Sequence, residues 1–181
     1  MDLNILFWSK TKVNILKYLL FKEDKISARE LERNIQESFP AIKKQIDNLY
    51  DAWIIEKNKT WNHWQLEIKE WVKPLIYNIF IYNIKRYLKD VWKTTFFIKK
   101  IFLADFFLSS IDKQLWIDIV FVYQIVDDAF LEDVKKQISN YLDTYYLDLN
   151  IFFMCEDNYQ KRLRYADKFV INLNKYENFN F

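Results

Sequence analysis

The chain has 181 residues, carries a formal net charge of +2 at neutral pH and contains no glycine. Loops that cradle phosphates need glycine where the backbone approaches the ligand closely or takes a positive φ. The composition therefore excludes the P-loop and dinucleotide-binding fingerprints and, with them, the kinase, GTPase and Rossmann classes. Hydrophobic residues make up 51% of the chain, which allows a substantial core in one domain or in two small ones, and we expect two.

The charge is distributed unevenly along the chain. Residues 1–95 contain 17 lysines and arginines against 12 aspartates and glutamates, whereas residues 96–181 contain 10 against 13. The net charges of the two parts are therefore +5 and −3. A modest positive excess permits contact with nucleic acid without requiring it. The first part is consequently the better place for a nucleic-acid interface.

A capping signal predicts a helix over Ala28–Ile35. The Ser27 hydroxyl can accept a hydrogen bond from a backbone N–H of the first turn, and the Glu30 carboxylate can accept one from the backbone N–H of Ser27. Residues 36–39 then supply a short break. Pro40 suits the first turn of a second helix, because its missing N–H costs nothing there.

The second helix is predicted to have one buried face and one polar face. Ile42, Ile46, Leu49 and Trp53 recur at the spacing of one helical face, which we expect to be buried. Successive residues turn by about 100° around the axis, so the remaining positions face outward or lie on the flank. The outward residues are Lys43, Lys44, Asp47, Asn48 and Asp51, and the flanking residues are Ala41 and Gln45.

A hairpin is predicted to follow this helix. Residues 53–55 are followed by the polar run 56–60, and apolar and polar residues then alternate over residues 61–68. This is the pattern of two antiparallel strands with a lysine-bearing tip. Trp61 and Trp64 could stack on bases, but core packing is expected for both. The polar residues that could contact DNA from the hairpin are Lys57, Asn58, Lys59 and His63.

The order of these elements over residues 6–68 resembles a winged helix-turn-helix regulator of the arsenic-repressor type. Three segments carry the resemblance, LFWSKTKVNILKYLL, ISARELERNI and PAIKKQIDNLYDAWII. The resemblance implies that two chains pair to read double-stranded DNA with the second helix and the hairpin, or wing. Ala52 and Trp53 depart from the family, since they stand where a glycine usually precedes the wing. The implied DNA-binding residues are Ala41, Lys43, Lys44, Gln45, Asn48, Lys57, Asn58, Lys59 and His63.

Residues 71–92 are predicted to form a long helix that is apolar on more than one side. Such a helix is typically buried between domains or subunits, and the resemblance to paired repressors favours a homodimer. Its most apolar stretch, residues 74–84, is too short to span a membrane. The first residues lack a basic segment followed by a long apolar run, so we expect a cytoplasmic protein without membrane contact. The expected parts are residues 1–70, a connecting helix at 71–94, and a second domain at 95–181.

The hydrophobic pattern changes period in the second domain. Strands are predicted over residues 96–103, 116–122 and 147–154, and helices over residues 127–146 and 158–173. The order β–β–α–β–α implies helices packed on a small mixed sheet. The whole chain is therefore predicted to be α+β.

Residues 96–173 resemble a minimal nucleotidyltransferase domain of the DNA polymerase beta superfamily. That family has a strand ending in Gly-Ser, an Asp-x-Asp on the next strand and a third carboxylate on a later strand, which together hold two Mg²⁺ ions. The segment FLADFFLSSIDKQLWIDIVFV aligns Ala104 and Asp105 with Gly-Ser. It aligns Trp116 with the first carboxylate and Asp118 with the second, while Asn150 falls at the third. Only one of three metal ligands survives.

The resemblance implies a domain that has lost its chemistry. One aspartate cannot hold two hard divalent ions, so Asp105, Asp118 and Asn150 are interpreted as catalytic remnants, and neither a metal nor a cofactor is expected. The predicted function is a DNA-binding transcriptional regulator whose second domain serves dimerisation, ligand binding or partner binding. Two alternatives remain open: an active nucleotidyltransferase that would need Mg²⁺, and an antitoxin-like module that binds a partner protein.

Overall fold

The structure is a computed structural model with mixed α and β elements. It describes residues 7, 9–22, 25–59, 64–105, 116–124, 127–146, 148–173 and 177–180, with the backbone alone at 104–105, 116–118, 148–149 and 177–180. These residues form seven helices and seven strands in two sheets. The chain divides into two compact units, Met1–Ile84 and Lys85–Phe181. The boundary falls within the helix that the sequence assigns to a connection.

The first unit combines helices with a three-stranded antiparallel sheet of order β1-β3-β2. The predicted pair of helices and the hairpin after them are confirmed. The elements are α1 (Lys10–Phe21), β1 (Ile26–Ser27), α2 (Ala28–Ile35), α3 (Phe39–Asp51), β2 (Ile55–Lys59) and β3 (Trp64–Ile68).

The capping box predicted for α2 is present. The Ser27 hydroxyl accepts a hydrogen bond from the backbone N–H of Glu30 at 3.3 Å, and the Glu30 carboxylate accepts one from the backbone N–H of Ser27 at 2.9 Å. At the other end Gln36 takes a left-handed conformation with φ 53°. Glycine usually occupies such a position because it has no Cβ to clash.

Helix α3 buries the predicted face with one exception. Ile42, Ile46 and Leu49 are buried, whereas Trp53 is 68% exposed, so the expectation that Trp53 belongs to this face is wrong. The reason is that α3 ends at Asp51, and Trp53 lies in the following turn with φ 62°. The Lys69 ammonium lies 4.2 Å from the centroid of the Trp53 ring, which makes a cation–π contact at the surface.

Helix α4 spans Lys73–Thr94, close to the prediction. In the first unit its Phe80 ring packs 5.8 Å from the ring of Phe21, measured between centroids, and Tyr77 lies 6.2 Å from the same ring. Leu75 and Tyr82 on this helix are exposed. Among the described residues, no helix combines the length and apolar character that a membrane crossing requires.

The second unit contains a mixed four-stranded sheet of order β6-β5-β4-β7, in which only β5 and β6 are parallel. Two features differ from the prediction. The last helix is divided in two, and an additional strand, β7, pairs with β4. The elements are β4 (Ile98–Asp105), β5 (Trp116–Tyr123), α5 (Asp128–Asp143), β6 (Asp148–Cys155), α6 (Glu156–Arg164), α7 (Lys168–Leu173) and β7 (Glu177–Asn180).

A turn divides the predicted last helix. Ala166 takes a left-handed φ of 52°, which no α-helix continues through. Asp167 then caps α7, since its carboxylate accepts hydrogen bonds from the backbone N–H groups of Phe169 at 2.9 Å and Val170 at 3.3 Å. The cap compensates the free N–H groups that the new helix start creates.

The two helices α6 and α7 cover one face of the sheet with Tyr159, Val170 and Leu173. Helix α5 contacts the second half of α4, where the rings of Tyr87 and Tyr141 stack with centroids 3.6 Å apart. Burial raises the pKa of Tyr87, and the neighbouring Tyr141 raises it further. The sheet residues packed against α6 and α7 are Phe102, Val120, Val122 and Met154.

Candidate nucleic-acid interface

The outward side of α3 carries the polar residues that its periodicity predicts. Lys43, Lys44 and Asn48 are exposed, while Ala41 and Gln45 are half-buried on the flank. The Asn48 side-chain amide donates a hydrogen bond to the Gln45 Oε1 at 3.3 Å. The helix therefore presents two ammonium groups and a pair of amides on the side opposite its buried isoleucines.

An ion pair connects α3 to the β2–β3 hairpin. The Lys57 ammonium of β2 pairs with the Asp47 carboxylate of α3. The same ammonium lies 4.6 Å from the centroid of the Tyr50 ring. Lys57 is thus held against α3, which leaves less of its charge for an external phosphate.

The predicted tip residues of the hairpin lie in a strand. Lys57, Asn58 and Lys59 belong to β2 and pair with Leu66, Gln65 and Trp64, so their assignment to a polar tip is wrong. The ladder extends further because β3 alternates apolar and polar residues from Trp64 to Ile68 and pairs with β2 as far as Lys59. His63 lies outside the described residues.

The two faces of the hairpin differ in charge. Side chains alternate along a strand, so Lys57 and Lys59 share a face with Trp64, Leu66 and Ile68. Leu66 and Ile68 are buried, whereas Trp64 is 54% exposed, and its expected place in the core is therefore wrong.

The opposite face carries the acidic residues. Glu56 and Glu67 are directly paired across the strands, an arrangement in which like charges repel. The Asn58 amide donates to the Glu67 carboxylate, and the Lys25 ammonium lies 3.6 Å from it, which offsets the repulsion. The hairpin thus has a basic, aromatic side that reaches toward α3 and an acidic side away from it.

A second basic surface lies on α6 of the other unit. Lys161 and Arg164 line a hollow of about 690 Å³ together with Asp157. Arg162 contacts Asn158 at 3.2 Å and the Asp167 carboxylate at 3.9 Å. The acidic neighbours offset part of this positive charge, so α6 is a weaker candidate than α3.

The positions that the sequence interpretation treats as catalytic remnants lie in three adjacent strands. The backbone register places Asp118 of β5 between Ala104 of β4 and Asn150 of β6. Asp105 is instead the partner of Ile117, one residue along. The side chain of Asn150 is exposed.

The register also identifies a residue that the sequence interpretation missed. Asp148 of β6 is the backbone partner of Trp116, two residues before Asn150. Asp148 lies next to the residues aligned with the nucleotidyltransferase pattern because β5 and β6 pair in this register. The sequences of the two strands do not specify that register. No cluster of three or more histidine, cysteine or acidic residues that could hold a metal ion occurs in the described part of the chain.

Comparison with known proteins gives no family assignment. No protein-family model matches the chain, and no curated protein matches it. A function for the chain therefore rests on the contacts and charges described above.

Proposed function

We propose that the chain is a DNA-binding transcriptional regulator that reads double-stranded DNA with α3 and the β2–β3 hairpin. The observation that carries the proposal is the exposed side of α3, where Lys43, Lys44 and Asn48 stand opposite a face of buried isoleucines. Lysines of this kind contact phosphates and set the position of a protein on the duplex. An exposed Lys59 on the hairpin extends the positive surface.

The amide pair on α3 supports base reading between these phosphate contacts. Asparagine and glutamine side chains can pair with the N6 and N7 atoms of adenine in the major groove, which is wide enough for a helix. Asn48 and Gln45 already share a hydrogen bond, so each holds the other in a defined orientation. Asn48 would therefore contribute sequence preference, while Lys43 and Lys44 would contribute affinity for any sequence.

The proposal includes a homodimer. Three large apolar side chains are exposed along and just before α4, namely Trp71 at 71%, Leu75 at 59% and Tyr82 at 61%. The spacing of seven residues puts Leu75 and Tyr82 on one side of α4, and Trp71 lies in the turn before it. A second copy that packs against this strip would cover apolar surface on both chains and would present two copies of α3 to two half-sites.

The proposal assigns the second unit to dimerisation or to binding of a ligand or protein partner, as a degenerate nucleotidyltransferase-like domain. The register supports this assignment, because the backbone neighbours of Asp118 are Ala104 and Asn150, and neither is a carboxylate. Incubation with labelled nucleoside triphosphates and Mg²⁺ or Mn²⁺ tests it, and we expect no transfer. Label transfer that Asp118→Asn abolishes would instead establish an enzyme.

Fluorescence polarisation tests DNA binding. The full chain is titrated against labelled genomic fragments at two salt concentrations, beside the double variant Lys43→Ala, Lys44→Ala. We expect the double variant to bind all fragments more weakly, with the salt slope reduced by about one for each phosphate that a lysine no longer neutralises.

A matched control removes two positive charges from the second unit, in the double variant Lys161→Ala, Lys168→Ala. We expect the affinity and the salt slope of this control to equal those of the unmodified chain. The proposal fails if the unmodified chain binds no better than a neutral protein and shows no salt slope. It also fails if the control loses as much affinity as the α3 variant.

A further inference from the structure

The far end of the β2–β3 hairpin carries an aromatic and a basic side chain next to each other. Trp64 and Lys59 are backbone partners, and both are exposed. We propose that Trp64 is a base-stacking residue, which inserts its indole at a deformable step of duplex DNA while Lys59 contacts a neighbouring phosphate. This inference rests on the proposed function, since it describes a second contact made by the same surface.

The exposure of Trp64 shows that the buried core under the hairpin does not extend to this residue, so its indole is accessible to a binding partner. Leu66 and Ile68, two and four residues along the same face, are each 1% exposed, whereas Trp64 is 54% exposed. The indole is a large apolar group with a flat ring that offers a stacking surface to a base. Intramolecular packing therefore leaves about half of this residue accessible to a base.

The Lys57 ion pair shows that the hairpin runs beside α3, the helix that would read DNA. Lys57 of β2, whose partner on β3 is Leu66, contacts Asp47 of α3. The Lys59–Trp64 pair lies two residues further out, which is about 7 Å along the strand. A contact at that distance from a helix in the major groove reaches the flanking backbone and minor groove, where apolar side chains can wedge between bases.

The charge of the hairpin favours DNA as the partner of this indole. The face with Trp64 carries the exposed Lys59 and the Asp47-paired Lys57, while the two glutamates, Glu56 and Glu67, lie on the other face. A phosphate backbone is attracted to the first face and repelled by the second. An uncharged protein partner would gain nothing from this distribution.

Trp53 provides the matched control, because it is another exposed tryptophan of the same unit. Its ring is covered by the Lys69 ammonium at 4.2 Å from the centroid, and it lies in the turn after α3. Trp64→Ala and Trp53→Ala therefore remove the same side chain from two surface positions. Trp64→Phe keeps an aromatic ring at position 64. Its comparison with Trp64→Ala separates a loss of DNA affinity caused by lost stacking from one caused by misfolding.

The experiment measures affinity for a duplex that the full chain binds, and for the same duplex with one mismatched pair in the sequence flanking the site. A mismatch lowers the cost of unstacking, so the unmodified chain should bind the mismatched duplex several-fold more tightly. Trp64→Ala should weaken binding to the mismatched duplex by at least about fivefold and remove the preference. Trp64→Phe and Trp53→Ala should retain the preference, and every variant should keep the salt slope.

Two results overturn the inference and separate it from the proposed function. If the unmodified chain binds DNA with a salt slope but Trp64→Ala keeps both the affinity and the mismatch preference, the stacking role fails and the regulator remains. If the unmodified chain binds neither duplex, the proposed function fails and the stacking role fails with it.

Discussion

The ion pair between α3 and the hairpin leads to a prediction about the Asp47→Asn variant, which we expect to bind DNA more tightly than the unmodified chain. In the structure the Asp47 carboxylate pairs with the Lys57 ammonium. The substitution removes a negative charge from the side of α3 that would meet phosphates and releases a lysine for a phosphate contact. Because the pair is partly exposed, its removal should cost no more than about 1 kcal/mol of folding free energy.

The expected change in the salt dependence of DNA binding follows from the number of lysines that contact phosphates. Lys43, Lys44 and Lys59 are exposed in each chain, so a homodimer would neutralise about six phosphates, and log K against log salt would have a slope near −5.4. Releasing Lys57 in both chains would raise the number to about eight and the slope to about −7.2. Between 50 and 200 mM salt, affinity would then fall about 20,000-fold instead of about 1,800-fold.

Polarisation titrations of a bound duplex at four or five salt concentrations provide the assay. Asp51→Asn is the matched control, since it removes one carboxylate from the same helix without touching the partner of Lys57. Adding Lys57→Ala to the Asp47→Asn variant should cancel the steeper slope. Equal slopes for Asp47→Asn and Asp51→Asn would rule out the release of Lys57, because the gain would then be a general charge effect.

Two further predictions concern stability. Gln36→Gly should raise the free energy of unfolding by about 1 kcal/mol, because glycine tolerates the φ of 53° at the exposed end of α2; urea unfolding beside Gln36→Ala measures it, and no gain over alanine would contradict it. Burial lowers the pKa of Lys17 from 10.5 to about 8, so the unfolded chain binds more protons between these values and stability rises with pH there. Lys17→Met should therefore be more stable than the unmodified chain at pH 7, with a difference that shrinks by pH 9.5; a difference independent of pH would contradict the assignment.

Local signals explain the parts of the fold that the sequence predicts correctly. The α2 cap involves Ser27 and Glu30, three residues apart, and the buried face of α3 repeats within four turns. Where no local signal exists, the prediction fails. Strand β7 pairs with β4, as in the contact of Asn178 with Phe102, and such long-range pairing leaves no mark in the short segment itself.

The absence of glycine explains two further errors. Left-handed turns at Trp53 and Ala166 end α3 and separate α6 from α7, yet neither residue type signals a positive φ. The sequence therefore extends the apolar face of α3 to Trp53 and joins the last two helices. In most chains a glycine at these positions would have marked the ends.

The candidate interface is predictable from the sequence in part. Helical periodicity is sufficient to place Lys43, Lys44 and Asn48 on the outside, because it depends only on spacing along one element. The pairing of Lys57 with Asp47 depends on how the hairpin returns to α3, and alternation alone carries no such information. Alternation likewise assigns Trp64 to a face without showing how far the core extends along it.

Lysine footprinting of the full chain, with and without a bound duplex, locates the DNA contact on the protein. Mass spectrometry after brief acetylation reports the reactivity of each ammonium group. We expect Lys43, Lys44 and Lys59 to lose reactivity in the complex, while Lys161 and Lys168 keep it. Protection of the second pair with no change at the first three would contradict DNA binding by α3 and would place the DNA contact on the second unit.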